Sequence, residues 1–208
     1  MARRTRGVPA GLTRDRIAAA ALALVDRDGL DRFGVRRLAD ELGVDPMSIY
    51  NHIKGKAALL DAITEAVLAE VARDLDDVDG DWRTIARRTA HAYRAAAYRH
   101  PHTVPLLATR PQTSPVALAA LERLAAAMRA AGVADRVVAD TPLILFGFLN
   151  GYLLAVLSAG PDAAVPPIDP QHYPTLAAIT PAMADFGSVA EFDRMLDAVL
   201  DGIAARAG

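Results

Sequence analysis

The sequence predicts an all-α fold, and three observations carry that expectation. Apolar residues recur at three- and four-residue spacing along the longer segments, the pattern of helices with one buried face. Residues that cap helix starts (Thr13, Asp45, Ser188) stand just ahead of such segments, and glycines that end helices (Gly29, Gly43, Gly132) stand just behind them. Of the 208 residues 52% are hydrophobic, enough to bury a sizeable core in one large or two small domains, which excludes a disordered chain.

In chain order, Arg3, Arg4 and Arg6 precede Gly7 and Pro9 in a stretch with no apolar period. This is an arm, either one that reaches DNA or a solvated terminus. From Thr13, the stripe Ile17, Ala20, Ala21, Leu24 and Val25 marks a first helix ended by Gly29, and Leu30 and Phe33 complete the core of a three-helix head. Residues 35–56 then read as two short helices joined by a glycine turn. Leu38, Ala39 and Leu42 share one face of the first, Gly43 permits a sharp exit, and Val44 packs under the corner. Asp45 is an N-cap acceptor and Pro46 occupies the first helical position, where proline is tolerated.

At about 100° per residue, Ile49 and Ile53 share the inner side of this last helix with Pro46. Met47, Ser48 and Asn51 fall opposite, flanked by Tyr50 and His52. A hydroxyl, an amide that can pair with adenine and a thioether for thymine methyls suit base edges in a major groove. Tyr50, His52, Lys54 and Lys56, with Arg36 on the preceding helix, can reach phosphates. The competing reading is an ordinary helical hairpin whose polar face is merely wet.

Three motifs separate the two readings: R-x-L-A-x-x-L-G-V at 36–44, S-I-Y-N-H-I-K at 48–54 and G-K-A-A-L-L at 55–60. In these residues the chain resembles the tetracycline-repressor-like (TetR) family of transcriptional regulators, from Thr13 through Ile63, with weaker echoes to the C-terminus. It departs from the family at Gly34 and Val35, where threonines usually start the second helix and contact the DNA backbone. The resemblance implies a three-helix helix-turn-helix DNA-binding head on a larger helical ligand-binding and dimerisation domain, with residues 1–56 as arm and head and 57–208 as body.

In the body, Leu60, Ile63, Val67 and Val71 predict a long helix to about residue 74, followed by an acidic loop over 76–81. Trp82 opens a helix closed by His100-Pro101, with Ile85, Thr89, Tyr93 and Ala97 on one stripe and Arg87, Arg88 and Arg94 elsewhere. Thr89 and Tyr93 are then either satisfied core polar groups or part of a ligand pocket. A short helix around 102–108, Thr109-Arg110-Pro111, and helices over 114–131 and 135–158 follow, the last with Pro142 inside it. A Pro-rich loop covers 161–174, a weak helix lies within 173–186, and Ser188 caps a final helix with Phe192, Met195, Leu196, Val199, Leu200 and Ile203 on its apolar stripe.

Residues 141–161 carry no charge and contain Gly147-x-x-x-Gly151, long enough for a membrane span. Acidic flanks at Asp140 and Asp162, Asn150 in mid-segment and prolines at the tips argue instead for a helix buried between protomers. F-D-R-M-L-D-A-V-L-D-G-I at 192–203 resembles the family's closing helix, which pairs with the preceding long helix across a dimer axis.

The net charge of −2 hides a split: residues 1–56 carry 11 Lys/Arg against 7 Asp/Glu, and the remainder 12 against 18. A basic head on an acidic body fits nucleic-acid binding at the N-terminal end. The absence of cysteine excludes disulfides and thiolate metal sites, and the opening residues lack a secretory apolar region, which leaves the cytoplasm as default. No cysteine nucleophile, phosphate-cradling glycine loop or G-x-S-x-G elbow supports an enzyme. His100 and His102 lie close together as H-P-H but have no obvious carboxylate partner in sequence, which argues against a metal.

The expected function is therefore a ligand-responsive transcriptional regulator acting as a homodimer on a double-stranded, palindromic operator. The alternative is an activator or constitutive DNA binder of the same fold with no small-molecule effector. The resemblance to tetracycline repressors proper includes Trp82 and Thr109-Arg110-Pro111, but Leu106 stands where those proteins place a metal-coordinating histidine. It implies a metal-free, cofactor-free effector site lined by Thr89, Tyr93, Leu106, Arg110, Phe148 and Asn150. Arg110 there either meets an anionic or carbonyl group or satisfies loop carbonyls.

Overall fold

A computed structural model describes residues 11–75, 79–159 and 167–207. The arginines of the arm and the first residues of the acidic loop lie outside them. Every regular element among the described residues is helical, and the chain divides into two compact units.

The first unit comprises residues 1–77 and 95–120. Its helices are α1 (Arg14–Asp28), α2 (Val35–Leu42), α3 (Pro46–His52) and α4 (Gly55–Arg73), then the end of α5 (Trp82–Arg99), α6 (Val104–Thr109) and the start of α7 (Pro115–Ala130). Thr13 caps α1 as expected, its hydroxyl accepting from the Arg16 N–H at 3.1 Å. Ile17, Ala21, Leu24 and Val25 of α1 and Ile63 and Val67 of α4 are fully or almost fully buried, and these two helices form the unit's main packing. Phe33, Leu38, Ile49 and Ile53 seat α2 and α3 on that core.

The second unit comprises residues 78–94 and 121–208, so the chain passes between the units within α5 and again within α7. It adds α8 (Asp135–Ala159), α9 (Pro174–Ile179) and α10 (Val189–Ala205). α8 continues through Pro142, although an interior proline removes one helical hydrogen bond. Only one face of α8 is buried, through Val137, Thr141, Leu145, Leu149 and Leu153 at four-residue steps. On the other side Leu143 is 82% exposed, and a Cβ added at Gly147 or Gly151 would meet nothing within 4 Å.

By length and composition α8 is long and apolar enough to cross a membrane. α10 packs on α8, and Arg206 bridges to Asp140 at 2.7 Å. The buried apolar residues of α10 are Phe192, Leu196, Leu200 and Ile203; Met195, expected in the same stripe, is 46% exposed, and Val199 is only half-buried. The apolar band of α10 is wider than what the chain covers with its own atoms. Ser188 and Glu191 form the N-terminal cap: Ser188 Oγ accepts from the Glu191 N–H at 3.0 Å, and Glu191 Oε2 accepts from the Gly187 N–H at 2.6 Å.

Candidate nucleic-acid interface and effector site

The turn between α2 and α3 is built by Gly43, whose φ of +66° is the left-handed conformation that favours glycine. Its neighbour Val44 donates its N–H to the Ala39 carbonyl at 3.0 Å, which closes the end of α2 and buries the valine side chain beneath the corner. Asp45 Oδ1 accepts from the Met47 N–H at 2.8 Å, so α3 starts where Pro46 fixes the backbone. Gly34 heads α2 with no side-chain cap, in line with the missing hydroxyl.

Burial sorts the side chains of α3. Ile49 and Ile53 face inward at 1% exposure, while Met47 is 65% exposed, Asn51 and His52 are exposed, and Ser48 and Tyr50 are half-buried. Pairing sorts the cations of the head. Arg27 forks onto Glu41 at 2.9 and 3.3 Å and holds that carboxyl below its usual range. Arg37 bonds Asp28 at 2.8 Å and the Arg32 carbonyl at 3.1 Å, and Arg14 pairs with Glu65 at 2.8 Å. Arg36, His52, Lys54 and Lys56 are exposed and have no hydrogen bond or ion pair with the described residues. The engaged arginines hold the helices of the head together, which leaves the others chemically able to meet phosphates.

The six residues expected to line an effector site are divided between the units. Thr89, Tyr93, Phe148 and Asn150 belong to the second, Leu106 and Arg110 to the first. In the second unit the Tyr93 hydroxyl donates to Asn150 Oδ1 at 2.7 Å, and its ring meets Phe146 edge-on with centroids 5.5 Å apart. Burial pushes the Tyr93 hydroxyl well above its ordinary pKa, so it remains a donor. Thr89 donates to the Ile85 carbonyl at 2.8 Å and is thereby satisfied within its own helix. Phe148 joins a cluster with Tyr152 and Phe192, over which the Arg94 guanidinium lies 5.5 Å from the ring centre.

Within the cluster the buried Glu191 accepts from the Tyr152 hydroxyl at 3.0 Å. Sequence reasoning missed Phe146, Tyr152 and Glu191. The four-residue step from Phe148 to Tyr152 and the Ser188-x-x-Glu191 capping pattern were the signals available.

In the first unit Leu106 is buried, and Arg110 is engaged with α4: Nε reaches Asp61 Oδ1 at 2.6 Å and Nη2 the Ala57 carbonyl at 3.0 Å. It lines a polar cleft of about 520 Å³ together with Arg14, Asp61, Glu65 and Gln112.

Against known proteins, residues 17–63 match the family described as "Bacterial regulatory proteins, tetR family", and residues 76–207 match "Tetracyclin repressor-like, C-terminal domain". The chain belongs to the TetR family. Among TetR-family relatives, the HTH-type transcriptional repressor DrrR1 of Streptomyces coeruleorubidus is 32% identical over 149 residues. That match covers 72% of this chain but only 55% of the repressor, so the chain spans about half of that relative's length. The class A tetracycline repressor of Escherichia coli is 32% identical over 192 residues, covering 90% of this chain and 88% of the relative. ActR of Streptomyces coelicolor, solved in complex with actinorhodin, superposes with a TM-score of 0.82 at 26% identity, covering 96% of this chain and all of that one. A TetR-family head and helical C-terminal domain are thus established for the chain, as is its class: a DNA-binding transcriptional regulator.

Proposed function

We propose that the protein is a cytoplasmic homodimeric repressor, with residues 1–56 as the DNA-binding part, that leaves a palindromic operator when its body takes up an apolar, drug-sized molecule without a metal. The observation that carries the DNA half is the face of α3, where Met47, Ser48 and Asn51 stand outward beside cations with no partner among the described residues. Ser48 and Asn51 read base edges, Met47 meets thymine methyls, and Arg36, Tyr50, His52 and Lys56 hold the backbone. A two-fold dimer presents two such faces to half-sites about one helical turn apart. Supporting the dimer are the uncovered Leu143, Gly147 and Gly151 of α8 and the exposed Met195 of α10.

The effector half rests on Tyr93 and Asn150 joined beside aromatic rings, an apolar wall with a few fixed polar groups. Among similar proteins, ActR was solved in complex with actinorhodin and others are named tetracycline repressors, which supports a small-molecule effector. Leu106 is apolar and cannot itself coordinate a metal, which supports the metal-free reading. Thr89 and Phe148 of the same unit complete our proposed lining. Arg110 ties the end of α6 to α4 through Asp61, a tie by which movement of α6 would reach α4.

Selecting bound sequences from random DNA and titrating the selected duplex in a retardation assay, with and without candidate aromatic compounds, tests both halves. A palindromic consensus released by a metal-free compound is expected. Such coupling is typically about 1–3 kcal/mol and reciprocal, so operator should weaken effector binding by the same factor. Tyr93→Phe should keep operator affinity while weakening release. Tight binding of magnesium–tetracycline, or loss of effector binding to a chelator, would refute the metal-free site.

A further inference from the structure

The H-P-H turn at residues 100–102 has a partner that its sequence neighbourhood does not reveal. His100 Nδ1 lies 2.8 Å from Asp26 Oδ2, in the last turn of α1, and His100 Nε2 lies 3.2 Å from Glu70 Oε2 on α4. Carboxylates only accept, and a neutral imidazole has a single N–H. Both contacts are hydrogen bonds only when the ring carries two protons.

The surroundings supply reasons for that charge. The His100 side chain is only 12% exposed, and Asp26 places a negative charge at the C-terminal, negative end of a helix. Among the described residues the second oxygen of Asp26 is buried with no hydrogen-bond partner, and His100 is the side chain that holds that carboxylate. Charged groups that line the same cleft as the ring are Arg14 and Asp15 on α1 and Glu65, Glu70 and Arg73 on α4, with Arg99 on α5, Asp74 at the end of α4 and His102 on the following turn nearby. Arg99 pairs with Glu70 at 3.0 Å and Asp74 at 3.6 Å, Arg73 bonds the Ala69 carbonyl, and His102 Nδ1 sits 3.1 Å from the Val25 carbonyl.

The last turn of α1 also holds α2, the first helix of the helix-turn-helix. Next to Asp26, Arg27 bonds Glu41 and Asp28 bonds Arg37, both on α2. One side of this turn is held by His100 and the other positions the helix-turn-helix.

We propose that His100 is a proton-operated clasp that fixes α1 of the DNA-binding head to α4 and the end of α5, so that operator binding depends on the second proton of its ring. With two protons, the imidazolium bridges Asp26 and Glu70. With one, a hydrogen bond is lost, the two carboxylates face a neutral ring, and the last turn of α1 is free to shift with α2. His100 acts on DNA through α1 and is a positioning residue. The acid side has its own limit: burial raises the Glu70 pKa, but hydrogen bonds from His100 and Arg99 outweigh it and hold that carboxyl below its ordinary range. A depressed carboxyl contributes at neutral pH and loses its contribution as pH falls through the folded value. On the acid side the clasp therefore holds until pH falls through the lowered Glu70 value.

The test compares full-length wild type with His100→Gln, which cannot take up a proton, in anisotropy titrations of the selected operator duplex from pH 6 to 8.5 at fixed ionic strength. Every other residue is the same in both proteins, so the two are compared at each pH. Wild-type affinity should fall with rising pH by up to about tenfold per unit more than that of the variant, the limit for one linked proton. At pH 6.5 His100→Gln should bind more weakly than wild type, and the gap between the two should close by pH 8.5. Asp26→Asn should flatten the same profile and carries the test if His100→Gln fails to fold. Nitrogen NMR of the free wild-type protein reads the ring without DNA, and both His100 nitrogens should be protonated at pH 6.5. Equal pH slopes in wild type and a folded variant, or a neutral His100 ring at pH 6.5, would overturn the clasp.

Discussion

Two helices leave a face uncovered, α3 in the first unit and α8 in the second, and the two faces have opposite chemistry. α3 turns Asn51, His52 and the mobile thioether of Met47 to solvent, with Lys54 and Lys56 just beyond. α8 turns Leu143 outward at 82% exposure, with Gly147 and Gly151 following at four-residue steps. A polar face exchanges water for a polar partner at little net cost either way. An apolar face held in water gives up about 25 cal/mol for each Å² left uncovered. The first is suited to a partner that comes and goes, the second to one that stays.

Leu143→Glu should break that contrast most forcefully. In the single chain the side chain is already mostly in water, so the substitution should leave the fold of one protomer intact. If a second copy covers the helix, each protomer would bury an unpaired carboxylate at about 3–5 kcal/mol. Sedimentation at micromolar concentration should then show monomers, and operator binding should disappear with the head untouched. A dimer that survives the change would mean α8 keeps its apolar side in water.

Gly151→Leu probes the same face more gently. Nothing in the chain lies within 4 Å of a Cβ added there, so any loss must come from a partner helix that approaches the glycine closely. Overpacking of that kind costs about 1–3 kcal/mol. The dimer constant should weaken by roughly tenfold or more, while the thermal unfolding of dilute protein should hardly change.

What the sequence could disclose follows the same line between local and distant partners. Thr13, Gly43, Asp45 and Ser188 act on neighbours within a few residues, and each sits where its spacing placed it. The faces of α3 were legible because a single period decides them, Ile49 and Ile53 in and Met47 and Asn51 out. The partners of His100 were not, because Asp26 and Glu70 are 74 and 30 positions away and only the packing of α1 and α4 brings them together. Arg110 is a similar case, since Asp61 lies 49 positions upstream. The stripe of α10 was read too broadly because periodicity marks an apolar residue without saying which chain will cover it, and Met195 remains exposed.

Asn51→Ala moves the test to α3. If Asn51 reads an adenine by a bidentate contact, its loss should cost about 1–3 kcal/mol and relax preference at particular positions of the selected sequence. An unchanged consensus would show that the outward face of α3 is not the reading face.

The smallest expected effect separates the two kinds of cation in the head. Lys56 is exposed and has no partner among the described residues, whereas Arg37 is bound by Asp28 and the Arg32 carbonyl. A cation that neutralises a phosphate releases a counterion, so Lys56→Ala should lower the salt slope of operator binding by about one unit per protomer, alike for every sequence. Arg37→Ala should leave that slope in place. Its half-exposed ion pair contributes only about 0.2–1 kcal/mol, and the loss should appear in the thermal stability of the head. Measuring affinity for both variants from low to physiological salt, beside their melting curves, decides the matter. A slope change in Arg37→Ala equal to that in Lys56→Ala would mean that DNA opens the Asp28 pair on binding. The paired and unpaired arginines of the free protein would then be no guide to which ones meet phosphates.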